Sequence, residues 1–380
     1  MITAAITGLT ALSLGLSVWG LRRATLLGWE FAPVTPIAPG PDGCQTLLEY
    51  HSQLGQAHSP SILRRADGFS VLWFEGSAEA QADVDIYEVS FAKAPQGWQA
   101  SAPELRVGRE ALGRAMVPQQ LVVTLGNTIE DEARRAALFS TVVSVGGWAA
   151  ASVARLIMGP GGPVRAEKLS LSPMLNRSAL VKSPMVAYAD GSHALPAYFE
   201  MGQMHGLLVR FHDDGRVADT RRMDGPGLNP IQPMVVPLDA RRAVAFLRDF
   251  DVTRGCLLRC ETEDGGQSWS TVETTDIANP SSPVAALPLG DGRILMAAND
   301  DPEAPADLCL SISGDEGRTW QRCRRFEGKS GGLRYPMLRE LAEGEIALCY
   351  SLGTKTGICV QVMGRAWIEA GLRTSAEGTP

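Results

Sequence analysis

The chain has 380 residues, of which 45% are hydrophobic and 20% are charged, and its formal net charge is −7. These values are typical of a soluble globular protein and exclude a disordered or fibrous one. Acidic and basic residues are interspersed without a basic stripe, so we expect no nucleic-acid partner. The seven cysteines lack a zinc-ligand spacing and are too few for a disulfide scaffold, so we expect no metal site, and no cofactor is predicted.

The N-terminal segment is apolar. Residues 1–21 carry no charge and are followed at once by Arg22 and Arg23. This length is about that of a bilayer, so we interpret residues 1–23 as a candidate membrane anchor or signal, and we expect a membrane-anchored or exported protein rather than a cytoplasmic one. A helix packed on the following domain is the alternative, because threonine and glycine dilute the apolar run.

A repeat of about fifty residues dominates the rest of the chain. Each copy reads as proline, an apolar stretch, a turn seven to nine residues on and a second apolar stretch, which is the pattern of a β-hairpin. The prolines of the five clear copies are Pro60, Pro184, Pro233, Pro283 and Pro336. A sixth hairpin is assigned to GNTIEDEARRAALFSTVV from Gly126, where Thr128 stands in place of proline.

Six such units, each with room for four strands, predict an all-β fold, a six-bladed β-propeller at residues 45–370. Proline at the start of each first strand is tolerated, since its missing N–H is not needed in the ladder there. We interpret the preceding residues 24–44, which contain FAPVTPIAPGPDG, as a proline-rich linker. Residues 371–380 are interpreted as a polar tail.

Two copies of a shorter motif, TEDGGQSW at 262–269 and SGDEGRTW at 313–320, lie between hairpins. We expect Asp264 and Asp315 to fasten a tight turn by hydrogen bonds, and Trp269 and Trp320 to pack between blades, so the motif is structural. The motif resembles the Asp box of the sialidase superfamily, specifically of bacterial sialidase-like BNR-repeat proteins. The resemblance covers most of residues 55–368 and implies the same propeller.

The antiparallel blade predicts where polar residues converge. The start of an inner strand and the end of the next strand lie on the same rim, beside the central channel, and a ring of polar groups there is the default site. Strand starts supply His58, Asn127, Lys182, Gln232, Asn279 and Tyr335, and second-strand ends supply Glu75, Glu200, Arg248 and Asn299. The loops that follow add Glu79, Asp83 and His205.

The resemblance implies roles for some of these residues. Sialidases bind the substrate carboxylate with three arginines, use a tyrosine nucleophile partnered by a glutamate, and employ a loop aspartate as acid/base. Tyr335 matches the tyrosine, and Arg248, sixteen residues after Gln232, matches the second arginine. Asp83 is the expected counterpart of the acid/base, in competition with Asp85 and Glu79.

The sequence also departs from the family pattern. Gln232 stands in place of the glutamate, and an amide can hydrogen-bond a phenol but cannot take its proton. His58 replaces the first arginine, and residues 299–311 contain no candidate for the third.

These residues predict a sialidase-like, glycan-active enzyme, an exo-glycosidase for an acidic sugar such as sialic acid or a uronate. Arg248 would bind the carboxylate, Tyr335 would be nucleophile or proton donor, and Asp83 would be acid/base. His58 is a further catalytic candidate, and Gln232, Glu200, Asn127 and Asn299 are further substrate-binding candidates. Two alternatives stay open: a uronate lyase or rhamnosidase-type propeller enzyme dependent on His58 and Tyr335, and a non-catalytic glycan-binding propeller.

Overall fold

The computed structural model describes residues 2–23, 27–172, 176–329 and 331–377. The described strands form six antiparallel sheets of four or five strands each, one for each predicted unit. The predicted six-bladed β-propeller is therefore confirmed. The three described α-helices lie outside the blades.

The first half of the chain forms helix α1, strand β1 and three blades. Helix α1 spans Ile2–Arg23 and strand β1 spans Cys44–His51. Blade 1 contains β2 (Gln56–Arg65), β3 (Gly68–Gly76), β4 (Asp85–Ala94), β5 (Gly97–Ala100) and β6 (Glu104–Val107), and is followed by helix α2 (Arg109–Ala115). Blade 2 contains β7 (Thr124–Glu130), β8 (Ala137–Val143), β9 (Ser152–Gly159) and β10 (Gly162–Lys168). Blade 3 contains β11 (Ala179–Val181), β12 (Val186–Ala187), β13 (His193–Phe199), β14 (His205–Phe211) and β15 (Val217–Met223).

The second half forms the other three blades. Blade 4 contains β16 (Pro230–Pro237), β17 (Ala243–Asp249), β18 (Cys256–Thr262) and β19 (Glu273–Ala278). Blade 5 contains β20 (Ala285–Pro288), β21 (Ile294–Ala298), β22 (Leu308–Ser313) and β23 (Gln321–Phe326). Blade 6 contains β24 (Leu333–Glu340), β25 (Glu345–Leu352) and β26 (Gly357–Gly364), and is followed by helix α3 (Arg365–Glu377).

Blade 6 takes its outer strand from the other end of the chain. Strand β1 pairs antiparallel with β26, from Cys44 opposite Met363 to His51 opposite Gly357. The sixth hairpin is followed by one more strand and a helix, so the fourth strand has to come from before blade 1. This pairing joins the two ends of the propeller and covers the edge that β26 would otherwise expose.

The proline-rich stretch is not a free linker as predicted. Phe31 and Ile37 are buried, at 1% and 2% exposure. The Phe31 N–H donates to the carbonyl of Ala240, and the Ile37 N–H to the carbonyl of Leu289. Apolar side chains among the prolines thus fix this stretch along blades 4 and 5, and it belongs to the domain.

Two predictions at the chain ends also change. Residues 371–377, predicted as part of a polar tail, are the last turns of α3, whereas 378–380 lie outside the described residues. The candidate membrane segment forms α1, yet no helix among the described residues is both long enough and apolar enough to cross a membrane.

Most inner strands carry a β-bulge at the rim. The pairing register shifts between His58 and Ser61 in β2, and comparable shifts occur in β7, β16 and β24. The residue before the proline has positive φ in three of these strands: 54° at Ser59, 53° at Gln232 and 57° at Tyr335. In these three strands proline therefore stands inside a bulge rather than at the strand start as predicted, because the bulge leaves its position unpaired, whereas Pro283 lies just before β20.

The Asp boxes form the expected turns. Asp315 accepts hydrogen bonds from the hydroxyls of Ser313 and Thr319, at 2.8 and 2.6 Å, and from the Thr319 N–H at 2.8 Å. Trp320 packs edge-on against Phe246 of blade 4, with ring centroids 5.7 Å apart. The equivalent residues of the first box are Thr262, Asp264, Ser268 and Trp269.

Candidate active site

The rim predicted from strand order contains a cavity. His58 on β2 lies opposite Phe74 on β3, and Arg334 on β24 lies opposite Ser351 on β25. The starts of the inner strands and the ends of the second strands therefore share one rim of the propeller. A cavity of about 430 Å³ opens there. Its lining includes His58, Arg248, Ser281, Arg334, Tyr335 and Lys355.

Tyr335, Gln232 and Arg248 form one hydrogen-bonded cluster. The Tyr335 hydroxyl accepts from Gln232 Nε2 at 3.4 Å and from Arg248 Nη1 at 3.3 Å. Arg248 Nη1 also donates to Gln232 Oε1 at 3.3 Å, and Gln232 Nε2 lies 3.3 Å from the hydroxyl of Tyr198. The bulges of β16 and β24 aim Gln232 and Tyr335 at each other, because an extra residue turns the side chain out of its usual alternation.

Arg248 is held by neutral groups. Its Nε donates to Ser281 Oγ at 2.9 Å, and that hydroxyl donates to the carbonyl of Asp249 at 2.7 Å. Among the described residues, no carboxylate lies within ion-pair distance of Arg248. The guanidinium charge is therefore available to a ligand.

The cavity wall carries further positive charge. Arg334 and Lys355 line it together with Arg248, and none of the described lining residues is acidic. Lys355 forms an ion pair with Glu79. Among the described residues, the hydrogen-bond acceptors of Arg334 are the backbone carbonyls of Ala306 and Leu333, and burial lowers the pKa of Arg334. A cavity lined by cations attracts anions.

His58 lies behind Tyr335. It is 1% exposed, its Nδ1 lies 2.8 Å from Ser351 Oγ, and its ring centroid is 4.3 Å from that of Tyr335. Burial, followed by the nearby charges of Lys355, Lys182 and Arg248, lowers the pKa of His58 well below its usual 6.5. His58 is therefore neutral at pH 7. Its Nε2 is buried and has no hydrogen-bond partner among the described residues.

The structure does not place Asp83 in the cavity. Asp83 is exposed, and its carboxylate accepts hydrogen bonds from the N–H and hydroxyl of Ser77, both at 3.1 Å. Asp85 accepts hydrogen bonds from the backbone N–H and the guanidinium of Arg109. Of the three acidic candidates in this loop, Glu79 lies nearest to the cavity, through its ion pair with Lys355.

Asn127 and Asn299 hold strands together rather than facing the cavity. Asn127 Nδ2 donates to the carbonyl of Val181 at 2.9 Å, which joins blades 2 and 3. Asn299 is 1% exposed and donates to the carbonyls of Asp307 and Leu333. Their amides are already bonded to backbone, so a role in ligand binding has no support in this arrangement.

Glu75 and His205 also have internal partners. Glu75 is 1% exposed and accepts hydrogen bonds from Tyr50, Ser52 and Trp73. His205 stacks on a neighbouring phenylalanine and bonds a backbone carbonyl two residues before it, and burial lowers its pKa. Neither residue lines the cavity.

Glu200 lies close to the cluster without pairing with it. Burial raises its pKa, the charge of Arg248 opposes that effect, and Glu79 adds to it. The net effect favours the protonated form of Glu200, which is not among the described residues that line the cavity. Its position at the end of β13 follows the strand-end rule that predicted it.

The strand-end rule missed several residues of the cluster and cavity, among them Arg334, Ser351, Lys355 and Tyr198. Arg334 directly precedes Tyr335, and Ser351 ends the second strand of blade 6, so the same rule applied to that blade would have found both. Lys355 follows in the next turn. Tyr198 is buried beside Gln232 at 2% exposure, and no polar signal distinguished it from an ordinary core residue.

Comparisons with known proteins agree with this architecture. Among solved structures, the chain is similar to the Hadza microbial sialidase Hz136, with 14% identity and a TM-score of 0.64 over 83% of this chain and 68% of that one. It is similar to a protein of unknown function from Dyadobacter fermentans, with 14% identity and a TM-score of 0.61 over 84% and 98% of the two chains. It is also similar to the Trypanosoma rangeli sialidase in complex with the inhibitor DANA, with 10% identity and a TM-score of 0.61 over 89% and 62%. At these identities the likeness establishes the fold alone.

The family assignment comes from the sequence. No curated protein matches the chain significantly. A model of the family described as BNR repeat-like domain matches residues 67–348, which is most of the propeller. The chain belongs to this BNR repeat-like family.

Proposed function

We propose that this protein is a glycoside hydrolase of sialidase type that acts on an acidic sugar and binds the sugar carboxylate through Arg248. The observation that carries the proposal is the Arg248 guanidinium, which has no carboxylate partner among the described residues. It donates a hydrogen bond to Tyr335 in a cavity whose described lining contains no acidic residue. Arginine pairs with carboxylates through two parallel hydrogen bonds, which fixes the ligand as well as attracting it. Arg334 supplies a second cation in the same cavity.

Tyr335 is the nucleophile in this proposal. Its oxygen forms a bond to the anomeric carbon while the bond from that carbon to the leaving oxygen breaks, and the phenol proton passes to water in the cavity. Water then attacks the same carbon as the bond to Tyr335 breaks; one of its protons remains on the new sugar hydroxyl and the other returns to the Tyr335 oxygen, while Glu200 regains its proton from the water that took up the phenol proton. A tyrosine nucleophile is a recognised variant of the retaining mechanism, in which the usual nucleophile is a carboxylate.

Gln232 orients Tyr335 but cannot act as its base. An amide donates to the phenol oxygen in either protonation state and has no site for the proton. Gln232 Nε2 and Arg248 Nη1 both donate to this oxygen, so they stabilise the negative charge that develops on it as the proton leaves.

Glu200 is the proton donor for the leaving oxygen in this proposal. Its raised pKa favours the protonated form that a general acid requires. Asp83, the acid/base candidate from the sequence, is exposed and hydrogen-bonded to Ser77. It is therefore assigned no role in the proposed reaction.

The test is release of a chromogenic aryl group from an aryl sialoside and an aryl glucuronide. We expect turnover of one of them by the wild type. Tyr335→Phe should lower kcat by at least about a thousandfold, because it removes the nucleophile. Arg248→Ala should lower kcat/KM by about a hundredfold or more, through loss of a charge-assisted contact.

The control is Arg241→Ala, which removes an exposed arginine outside the cavity and should leave kcat/KM unchanged. Absence of turnover on both substrates, or equal turnover by the wild type and Tyr335→Phe, would refute the proposal. Binding of the sugar without turnover would instead indicate a glycan-binding propeller.

A second candidate function is elimination from a uronate, in which a base removes the proton next to the carboxylate. The neutral state of His58 and its contact with Tyr335 favour this candidate, because only an unprotonated imidazole can accept a proton. Elimination creates an unsaturated uronate that absorbs in the ultraviolet. A panel of uronate polysaccharides that develops no such absorbance with the wild type would exclude it.

A further inference from the structure

Lys182 is a buried cation beneath the candidate nucleophile. It follows β11 in blade 3 and is 3% exposed. Its Nζ donates to the carbonyl of Pro336 at 2.9 Å and lies 5.9 Å from the ring centroid of Tyr335. It therefore contacts both halves of the bulge that aims Tyr335 into the cavity.

Among the residues that the structure describes, none forms an ion pair with Lys182. Its only side-chain hydrogen bond among the described residues goes to the Pro336 carbonyl. The titratable groups that face it are Tyr335, His58 and the Cys349 thiol, whose pKa burial raises to about 12. His58 and Cys349 are neutral at pH 7, so neither compensates the ammonium group.

Such a residue is costly for the fold. Burial lowers the pKa of Lys182 from 10.5 to about 8, an effect that Cys349 opposes. The ammonium group is still largely charged at pH 7. A methionine of similar length would fill the same space without desolvating a charge.

We propose that Lys182 is a positioning residue that holds the Tyr335 bulge and places an uncompensated positive charge beneath the phenol, so that the cavity prefers a ligand with negative charge above it. The field of Lys182 adds to that of Arg248 and stabilises negative charge on the Tyr335 oxygen or on the ligand. The identity of the ligand in this inference rests on the proposed function. The buried charge of Lys182 is argued from the geometry alone.

The ligand experiment compares N-acetylneuraminic acid with its uncharged methyl ester by calorimetric titration at about pH 7 and about pH 9. Lys182→Met should lower the preference for the free acid about tenfold at pH 7, from a Coulomb interaction over several ångströms of protein. The wild type should lose most of the same preference at pH 9, whereas Lys182→Met should show little change between the two pH values. Lys168→Met is the control, since burial also lowers the pKa of Lys168, which is half-buried on β10 outside the cavity.

A merely structural lysine would give a different result. Equal loss of affinity for the acid and the ester in Lys182→Met, or no loss for either, would overturn the proposal. So would a preference for the acid in the wild type that does not fall between pH 7 and pH 9.

A second measurement separates this proposal from the proposed function. In urea unfolding, Lys182→Met should be more stable than the wild type below about pH 8, and the difference should shrink as pH rises from about 8 toward 10.5, where Lys182 is neutral in both states. If the wild type binds neither sugar, the proposed function fails, while this pH dependence still decides whether Lys182 carries an uncompensated charge. A Lys182→Met variant that is less stable at every pH would refute it.

Discussion

Tyr335 reaches the cavity because its own backbone is unusual. Its φ of 57° is in the left-handed region, which non-glycine residues seldom adopt and which costs on the order of 1 kcal/mol or more. Gln232, its hydrogen-bond partner, has nearly the same conformation at 53°. Both residues adopt this conformation because each lies in a β-bulge at the rim end of an inner strand. Ser281, which holds Arg248, has a φ of 54° as well.

His58 gives a prediction at this scale. Its pKa is far below 6.5 in the folded state, so the unfolded chain binds more protons and stability falls as pH drops below about 6.5. His58→Gln removes this pH dependence, which changes the free energy of unfolding by up to about 1.4 kcal/mol per pH unit. Urea unfolding between about pH 7 and pH 5 should show a shallower pH dependence for the variant than for the wild type.

The control for His58→Gln is His212→Gln, because His212 is exposed at the end of a blade. It should leave the slope of stability against pH unchanged. Identical slopes for the wild type and His58→Gln would show that His58 is not buried in its neutral form.

Residue-scale prediction from the sequence worked where strand order alone fixes position. Arg248 and Tyr335 were found because strand starts and strand ends meet at one rim. Asp83 was misplaced because a loop residue is not fixed by that order, and its carboxylate bonds the nearby Ser77 instead. Lys355 sits in a turn whose approach to the cavity depends on the tertiary arrangement of blades 1 and 6.

The Asp-box turn shows how a short element links two blades. Gly317 has a φ of 82°, and a Cβ placed there would lie 2.4 Å from Cζ of Phe246 in blade 4. Its N–H donates to Ser313 Oγ at 2.8 Å. The turn therefore needs glycine both for its conformation and for the close approach of the neighbouring blade.

We expect Gly317→Ala to lower the free energy of unfolding by about 2 kcal/mol or more, from backbone strain and the clash with Phe246. Gly314→Ala, in the same box, should change it by less than about 0.5 kcal/mol, since nothing lies within 4 Å of its Cβ position. Urea unfolding of the two variants provides the comparison. Equal effects would mean that the approach to Phe246 does not matter.

Element-scale prediction succeeded for the hairpins and failed for the segments between them. The hairpins repeat one pattern six times, so each copy supports the others. The stretch around Phe31 and Ile37 looks like a linker by composition, and only its contacts with blades 4 and 5 reveal that it is packed. The assignment of proline to strand starts missed the bulge, because a bulge adds one residue without changing the hydrophobic pattern visibly.

The closed ring is held at two places far apart in sequence. Strand β1 completes blade 6, a pairing that repeat analysis could not find because β1 lies outside the repeat. The second place is the end of the channel opposite the candidate active site, where the carboxylate of Glu132 in blade 2 is buried. It accepts hydrogen bonds from Arg64 of blade 1, from the Met185 N–H of blade 3 and from Arg339 of blade 6. One side chain thus joins four blades.

Glu132→Gln should lower the free energy of unfolding by about 3 kcal/mol, because it leaves the largely buried Arg339 without its charge partner. The positive charges of Arg339 and Arg64 outweigh desolvation and lower the pKa of Glu132 below 4.5, so its contribution is present above that pH and is lost on acidification. Glu110→Gln, which breaks an exposed pair with Arg114 on α2, should cost less than about 0.5 kcal/mol. Similar losses in urea unfolding at pH 7 would contradict the role of Glu132 as a link between blades.

The central claim is that the rim cavity binds an acidic sugar by its carboxylate, and a crystal structure of the protein soaked with N-acetylneuraminic acid or glucuronic acid tests it most directly. We predict the carboxylate within hydrogen-bond distance of the Arg248 guanidinium and the anomeric carbon facing the Tyr335 oxygen. A cavity that stays empty at saturating ligand, or a sugar whose carboxylate points away from Arg248, would contradict the account.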